Sequence, residues 1–563
     1  MMWSQHGFAL KLLVAAAAAC AAALEAPVLT VEVDFSKVIR ESRTVTTLQV
    51  VSNPILDRTF TGPDGKTFPN PIHKNAWASL AALEADLVRY VPWYPYPKKS
   101  VAELDAPVDG KTTSWDFTYI MPMLEDFMDA VYGRNHSVVL NFATQPCWLF
   151  GDAKNKTQDC SYPANPDESF FHYVRGFRDN LLDPTGKDMA GYFGRLLSYL
   201  VKGEFTDEHG VKHTGGPAYS KFNRANGHVW ELFNEGEHRY TAEQYIHDYD
   251  VIVPEMIKAV GGPENAPAFM GIGGASPTWV APFLNRSNHH VAEVPPIDYI
   301  SNHHYSHCKH RTDPSTYFEF FSGAHDFMKD LQKLMAQRDA SSFPEVKFDL
   351  NELGVIMPND NDPAYGIDGD LPDIYWNAAG ATYAYMFATL APLGVEVLGQ
   401  SQLAGSPKIP EWGIPLPQYP SVSLLDWRTG YGNARYWVLK LLIEEFAPGD
   451  QLVTAGVVEA VDASKPQLSC LAALKKDGAR KLLIVNHLND VQLVKLNGFA
   501  YGAKVELKVV DPTAVQRGSA NGIRRLSIDS IQDSLLPLEP FAVVVASSSK
   551  TEATADSVGF IYA

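Results

Sequence analysis

Two Asn-Glu dipeptides, Asn234-Glu235 in HVWELFNEGE and Asn351-Glu352 in VKFDLNELGV, each close a short apolar run at well-separated points of the chain. Two carboxyl groups that face one another can cleave a glycosidic bond. One, kept protonated by its surroundings, gives a proton to the leaving oxygen, while the other, kept ionised, attacks the anomeric carbon or activates water. A lone Asn-Glu pair says little; two at the ends of strand-like runs say more.

Such chemistry needs elements that bring the two pairs together. Eight short runs rich in branched and aromatic residues recur between helix-like segments: TLQVV at 47–51, LVRYV from 87, SVVLNF from 137, HVWELFN from 228, AFMGIGG from 268, IDYISNHH from 297, VKFDLNE from 346 and VEVLGQS from 395. Each leaves room for a crossover helix, the pattern of parallel β/α units, and eight units imply a closed barrel. The expected fold class is α/β: a (β/α)8 TIM barrel over residues 25–450. Residues at the C-terminal ends of barrel strands line the reaction site, and the two Asn-Glu pairs end the fourth and seventh runs. The helix after the fourth run is plainest: Tyr245, Ile246, Tyr249, Ile252, Val253, Met256, Ile257 and Val260 follow a three/four rhythm. Thr241 with Gln244 makes a capping box there, and Gly261 ends the helix. A second helix is expected from Ile374 to Leu393, ending at Gly394. From about Gln451 the texture changes to short alternating runs such as KLLIVNHL and PFAVVVAS, implying an accessory antiparallel β-sandwich over 451–548. The early strand at 28–36 is expected to join it, and 549–563 reads as a mobile tail.

Length and 46% hydrophobic content support a large packed core. A formal charge of −18, spread along the chain, leaves no basic stripe to neutralise a phosphate backbone, so nucleic acid is excluded as a partner. Residues 1–24 read as a signal peptide, with Lys11 before an apolar stretch from Leu12 to Leu24 that is too short to span a bilayer. An uncleaved anchor or buried helix is the alternative. The expectation is a secreted or vesicular protein, with no membrane partner after removal of the leader. Of the remaining cysteines, Cys147 and Cys160 are the expected disulfide, being close in sequence, with Cys308 and Cys470 left open. Asn135, Asn155 and Asn285 open Asn-x-Ser/Thr tripeptides compatible with glycosylation. No Gly-x-Ser-x-Gly elbow and no phosphate-binding glycine loop occurs, and no cofactor is implied.

WELFNEGE, IDYISNHHY and DLNELGV together resemble the active-site strands of glycoside hydrolase family 39, the family of β-xylosidases and α-L-iduronidases, within a clan of retaining barrel glycosidases. The resemblance runs through LVRYV, SQLAG and SVSLLDWRTGYGNARYWVLKLL, over roughly 31–446 and then the sandwich, and is nearest the secreted fungal-type branch. It implies that Glu235 is the acid/base, that Asn234 holds the substrate 2-hydroxyl, and that Glu352 is the nucleophile. His303 and Tyr305 match the sixth-strand His-x-Tyr. Arg89 matches the second-strand arginine that helps keep the nucleophile ionised, as a nearby cation does for a carboxylate. Two positions depart from the family pattern: Gly236 stands where a proline is usual, and Val91 where a histidine is usual, with Trp93 or Tyr94 offering a stacking face instead.

Glu231 shares strand parity with Glu235 but lies four residues earlier, roughly 13 Å down a strand at about 3.3 Å per residue. A structural role opposite a cation such as Arg89 fits it better than catalysis, because a buried carboxylate needs a partner. Glu237 reads as a rim residue. On the eighth strand Gln400 and Gln402 alternate with Ser401, so both are expected to face the mouth, with Lys408, Glu411 and Trp412 above them and Trp412 placed to stack on a sugar. The cluster HHYSHCKH, with His303, His304, His307, Cys308 and His310, raises zinc as an alternative, but no metal is expected because convergence of the ligands does not follow from crowding. The reading is a secreted retaining glycosidase acting by double displacement, exo-acting on a pentoside or uronide. An endo-β-glucanase or β-glucuronidase of the same clan is the alternative, and a non-catalytic carbohydrate-binding barrel is the rival of another class.

Overall fold

The computed structural model describes residues 28–93, 96–107, 113–151, 178–274, 277–414, 416–458, 467–499, 503–515, 518–531 and 534–549. The expected signal peptide, Cys160, Asn155 and the tail from 550 onward lie outside the described residues.

After a long first strand, β1 (Val28–Glu41), eight strands close into a parallel barrel: β2 (Val45–Val51), β3 (Val88–Val91), β4 (Val138–Leu140), β5 (Val229–Glu231), β6 (Ala268–Gly274), β7 (Tyr299–Ser306), β8 (Lys347–Val355) and β9 (Val397–Gln400). They follow one another round the barrel in chain order and coincide with the eight apolar runs. Strands covered by helices outside and by packed side chains inside are buried on both faces, so they read as continuous apolar segments. Every residue of β6 is buried.

The outer helices are α1 (His73–Ala81), α2 (Met121–Ala130), α3 (Lys187–Lys202), α4 (Ala242–Val260), α5 (Phe318–Asp339), α6 (Ile374–Leu393) and α7 (Ala434–Glu445). In α4 the Thr241 hydroxyl accepts from the Gln244 amide while the Gln244 side chain accepts from the Thr241 amide, and Gly261 closes the helix at φ 96°. α6 is apolar all round because it is covered twice, by the barrel on one side and by the second domain on the other.

That second domain is one nine-stranded sheet rather than a purely antiparallel sandwich. Its remaining strands are β10 (Gln451–Val458), β11 (Leu468–Leu474), β12 (Arg480–Asn486), β13 (Gln492–Asn497), β14 (Val505–Val510), β15 (Arg524–Ile528), β16 (Leu536–Leu538) and β17 (Val543–Ser548). The order is β15-β14-β17-β12-β11-β10-β1-β13-β16, and β1 pairs antiparallel with β10 but parallel with β13. The difference arises because the chain's first strand enters a sheet whose other members arrive much later, so its direction is set by neither neighbour's turn. β1 is bulged between Asp34 and Val38, and Val31, Ile484, Val494, Leu507 and Val544 share a separate core from the barrel's.

Candidate active site

The two glutamates reach the barrel mouth by breaks in regular backbone. On β8 the register against β7 slips between Ser301↔Asp349 and His303↔Glu352, so three residues of β8 oppose two of β7. The extra residue re-aims the chain: Asn351 turns into the barrel and donates to Glu231 at 2.9 Å, while the adjacent Glu352 faces the mouth. Regular β5 ends at Glu231, and Phe233 (φ 64°) and Glu235 (φ 48°) are both left-handed. The Glu235 amide donates to the Gly273 carbonyl. Gly273 stands at φ 48° with no room for a side chain, because a Cβ there would meet the Phe233 carbonyl at 2.7 Å. The extended spacing assumed for Glu231 and Glu235 is therefore shortened, and Glu231 sits one layer below the site.

That layer is a closed network about Arg89, which is almost fully buried. Its Nε donates to Glu231 at 2.5 Å, Nη1 to Gln49 at 2.6 Å and to Glu352 at 2.7 Å, and Nη2 to Asn234 at 2.7 Å. Glu231 also accepts from Asn141 at 2.6 Å and Ser301 at 2.7 Å. Burial pushes the Glu231 carboxyl up, but the Arg89 guanidinium and these hydrogen bonds outweigh it and hold the group below its ordinary value. Tyr305 Oη donates to the second oxygen of Glu352 at 2.8 Å and lies 2.7 Å from Ser401 Oγ, which also accepts from Gln49. Burial and the neighbouring Glu352 keep the Tyr305 phenol well above its ordinary range.

Glu235 is differently placed. Its Oε1 lies 3.1 Å from His303 Nδ1 and its Oε2 3.6 Å from His238 Nε2. Burial lowers the His303 pKa, but the charge of Glu352 and the bond to Glu235 raise it more, leaving it above its ordinary 6.5. One oxygen of Glu235, one of Glu352 and a ring nitrogen of His303 all lie within 4.8 Å of one another.

The cavity over this trio, about 160 Å3, is lined by Asn234, Glu235, Tyr305, Glu352, Trp93, Gln402 and several residues not anticipated: Gln49, Ser401, Gln418, Tyr419 and the apolar Val51, Val91, Ile356 and Val422. Arg89 donates to Glu352 from beneath the cavity wall and does not itself line the cavity, and two expectations change. Gln400 is wholly buried and outside the cavity, because β9 stops there and strict alternation does not carry on to Ser401 and Gln402, which both face it. Trp412 stacks on Phe60, with ring centroids 5.1 Å apart, because its turn is pressed onto the 59–69 hairpin; a Cβ at Gly413 would meet the Thr61 carbonyl at 2.2 Å. From the same proline-rich loop it is Tyr419 that faces the cavity. Of HHYSHCKH only His303 joins a converging group among the described residues: His304 stacks on Phe327 and Cys308 packs on Met357. Cys147 is disulfide-bonded, its partner lying outside the described residues, whereas Cys308 and Cys470 are free. A polar residue within an apolar run, Gln49 in TLQVV, was the available signal for the first-strand contribution.

Glu235, His303 and Glu352 are also the one group among the described residues whose atoms converge as metal ligands do. The fit is poor. The Glu352 charge is already countered by Arg89, and His303 Nδ1 is held by Glu235 itself, which leaves little for a dication to gain.

No protein-family model and no curated protein matches the chain. Solved structures share the whole architecture. An α-L-arabinofuranosidase from Thermotoga maritima superposes with TM-score 0.56 at 13% identity over 92% of this chain and 100% of that one. A GH51 arabinofuranosidase from Xanthomonas axonopodis pv. citri gives 0.56 at 12% identity over 93% and 100%. A GH39 β-xylosidase from Caulobacter crescentus gives 0.50 at 14% identity over 92% and 99%. At these identities the likeness defines a class of fold, a (β/α)8 barrel with an attached β domain.

Proposed function

We propose that the protein is an exported retaining glycoside hydrolase of the family 39 type that removes a neutral pentosyl unit from the end of a glycan or glycoside. The observation that carries this is the separation of the two glutamates, whose nearest oxygens lie within 4.8 Å. Retaining enzymes hold their carboxyl groups about 5–5.5 Å apart, inverting ones about 6.5–9.5 Å to leave room for water. Glu352, fixed by Arg89 and Tyr305, attacks the anomeric carbon while Glu235 gives its proton to the departing oxygen. Water then attacks the glycosyl-enzyme, with Glu235 taking the proton back as Glu352 leaves. His303 orients Glu235. Asn234, anchored by Arg89, offers its amide to the sugar.

A cavity of about 160 Å3 holds a single ring, which favours exo action. Among the described residues no lysine or arginine lines it, and Lys408 is solvent-exposed away from it. A uronate carboxylate would find no counter-charge there, and the valine and isoleucine walls suit a sugar without a charged or bulky substituent. The disulfide at Cys147 supports an oxidising, exported setting.

The test is release of aryl alcohol from xylosides, arabinosides, glucosides, glucuronides and iduronides by wild type, Glu352→Gln and Glu235→Ala. Activity on a pentoside that Glu352→Gln abolishes, and that azide restores in Glu235→Ala, is the expected result. Activity that falls with chelator and returns with zinc would instead favour the Glu235–His303–Glu352 metal reading.

A further inference from the structure

We infer that the protein carries a second glycan-binding site, remote from the two glutamates, in a cavity between the barrel and the β domain. This cavity, about 750 Å3, opens where the start of α5 meets the turn after β12. Its floor is a packed stack of buried rings, Phe321 lying 4.4 Å from the His487 ring at 17° and 6.3 Å from Phe541 at 7°, so the ring left open to the cavity is Phe318. At its edge Phe318 is 46% exposed, although it begins an otherwise amphipathic helix. Asp326 from α5 and Asp490 from the turn stand on the rim, both solvent-exposed and neither spent on an ion pair in the structure.

An open ring at the edge and carboxylates beside it match the chemistry of a sugar. The C–H face of a pyranose or furanose is apolar and lies on a ring, while its hydroxyls project sideways and donate to carboxylates. A purely apolar ligand would leave the rim acids idle, and Lys329 and His325 in the same lining add donors for sugar oxygens. The place also fits, because ligand pockets favour domain junctions. β7 carries His303 and Tyr305 and ends at Ser306. The loop from there leads straight to Phe318, so the cavity stands on the mouth side of the barrel. A glycan held here would keep the enzyme on a polymer while single residues are removed at the other site. That use rests on the proposed glycosidase function; the binding does not.

The test is native electrophoresis of the full chain through gels containing soluble arabinoxylan, mixed-linkage β-glucan, arabinan or pectin, comparing wild type with Phe318→Ala and Asp326→Ala. Both residues are exposed, so the fold tolerates the changes. At least one polymer is expected to slow wild type, with the retardation falling at least fivefold in each variant and aryl-glycoside kcat/KM staying within twofold. Retardation by no polymer, or retardation equal in the variants, overturns the site. Retardation lost in the variants of a protein that hydrolyses no glycoside would leave this site standing and remove the catalytic reading instead.

Discussion

The surroundings of Glu352 and of Glu235 are built on opposite plans. Glu352, with a side chain 11% exposed, accepts from Arg89 and Tyr305, and both donors are tied into a buried layer with Glu231, Gln49 and Ser401. Glu235, 28% exposed, hangs from left-handed backbone between two histidines, one buried and one at the surface. A group that must stay charged and fixed is given permanent donors. On the proposed reading, the group that must lose and regain a proton is given imidazole partners in place of fixed cations.

This contrast orders the effects of substitution. Glu352→Gln removes the proposed attacking atom and is expected to lower kcat more than roughly 10^4-fold with no rescue of the first step. Glu235→Ala is expected to cost about 10²–10⁴-fold, and azide, which needs no general base, returns part of it with aryl substrates. Azide rescue of Glu352→Gln but not of Glu235→Ala would reverse the two roles. Arg89→Met strikes the buried layer and leaves Glu231 without its counter-charge, at a cost of about 3–5 kcal/mol in denaturant unfolding as well as loss of activity. Because the folded Glu231 carboxyl lies below its ordinary 4.5, its stabilisation is present above that pH and is lost as pH falls through the folded value. The gap between wild type and Arg89→Met should therefore narrow in acid, and a pH-independent gap would contradict the linkage. Tyr305→Phe deletes one hydrogen bond to a charged group, so kcat should fall roughly ten- to hundredfold, with a loss of stability no larger than about 1.5–3 kcal/mol. Smallest of all, Trp412→Ala should leave KM within twofold, whereas Trp93→Ala raises it. Equal effects would place the 410–412 turn at the substrate after all.

The same contrast marks what can be read from sequence. The eight strands were legible because burial on both faces writes itself as apolar runs, and a carboxylate inside such a run, Glu231, announces its need for a cation. Helix α4 was legible from its caps. What depends on a broken register was not. The bulge that separates Asn351 from Glu352, the left-handed turn at Glu235 and the end of β9 at Gln400 each redirect side chains that simple alternation places elsewhere. In the proline-rich loop the sequence pointed to Trp412 alone, and only packing against the 59–69 hairpin decides that Trp412 is spent on Phe60 while Tyr419 meets the cavity. The parallel pairing of β1 with β13 joins residues hundreds of positions apart and leaves no local trace.

The most direct measurement follows the anomeric proton of the first-formed sugar by NMR during hydrolysis of the best aryl pentoside. With Glu235 and Glu352 this close, the account predicts that the product first appears with the substrate's own anomeric configuration and only later mutarotates. First appearance of the opposite anomer would mean direct attack by water and would contradict the double displacement at Glu352.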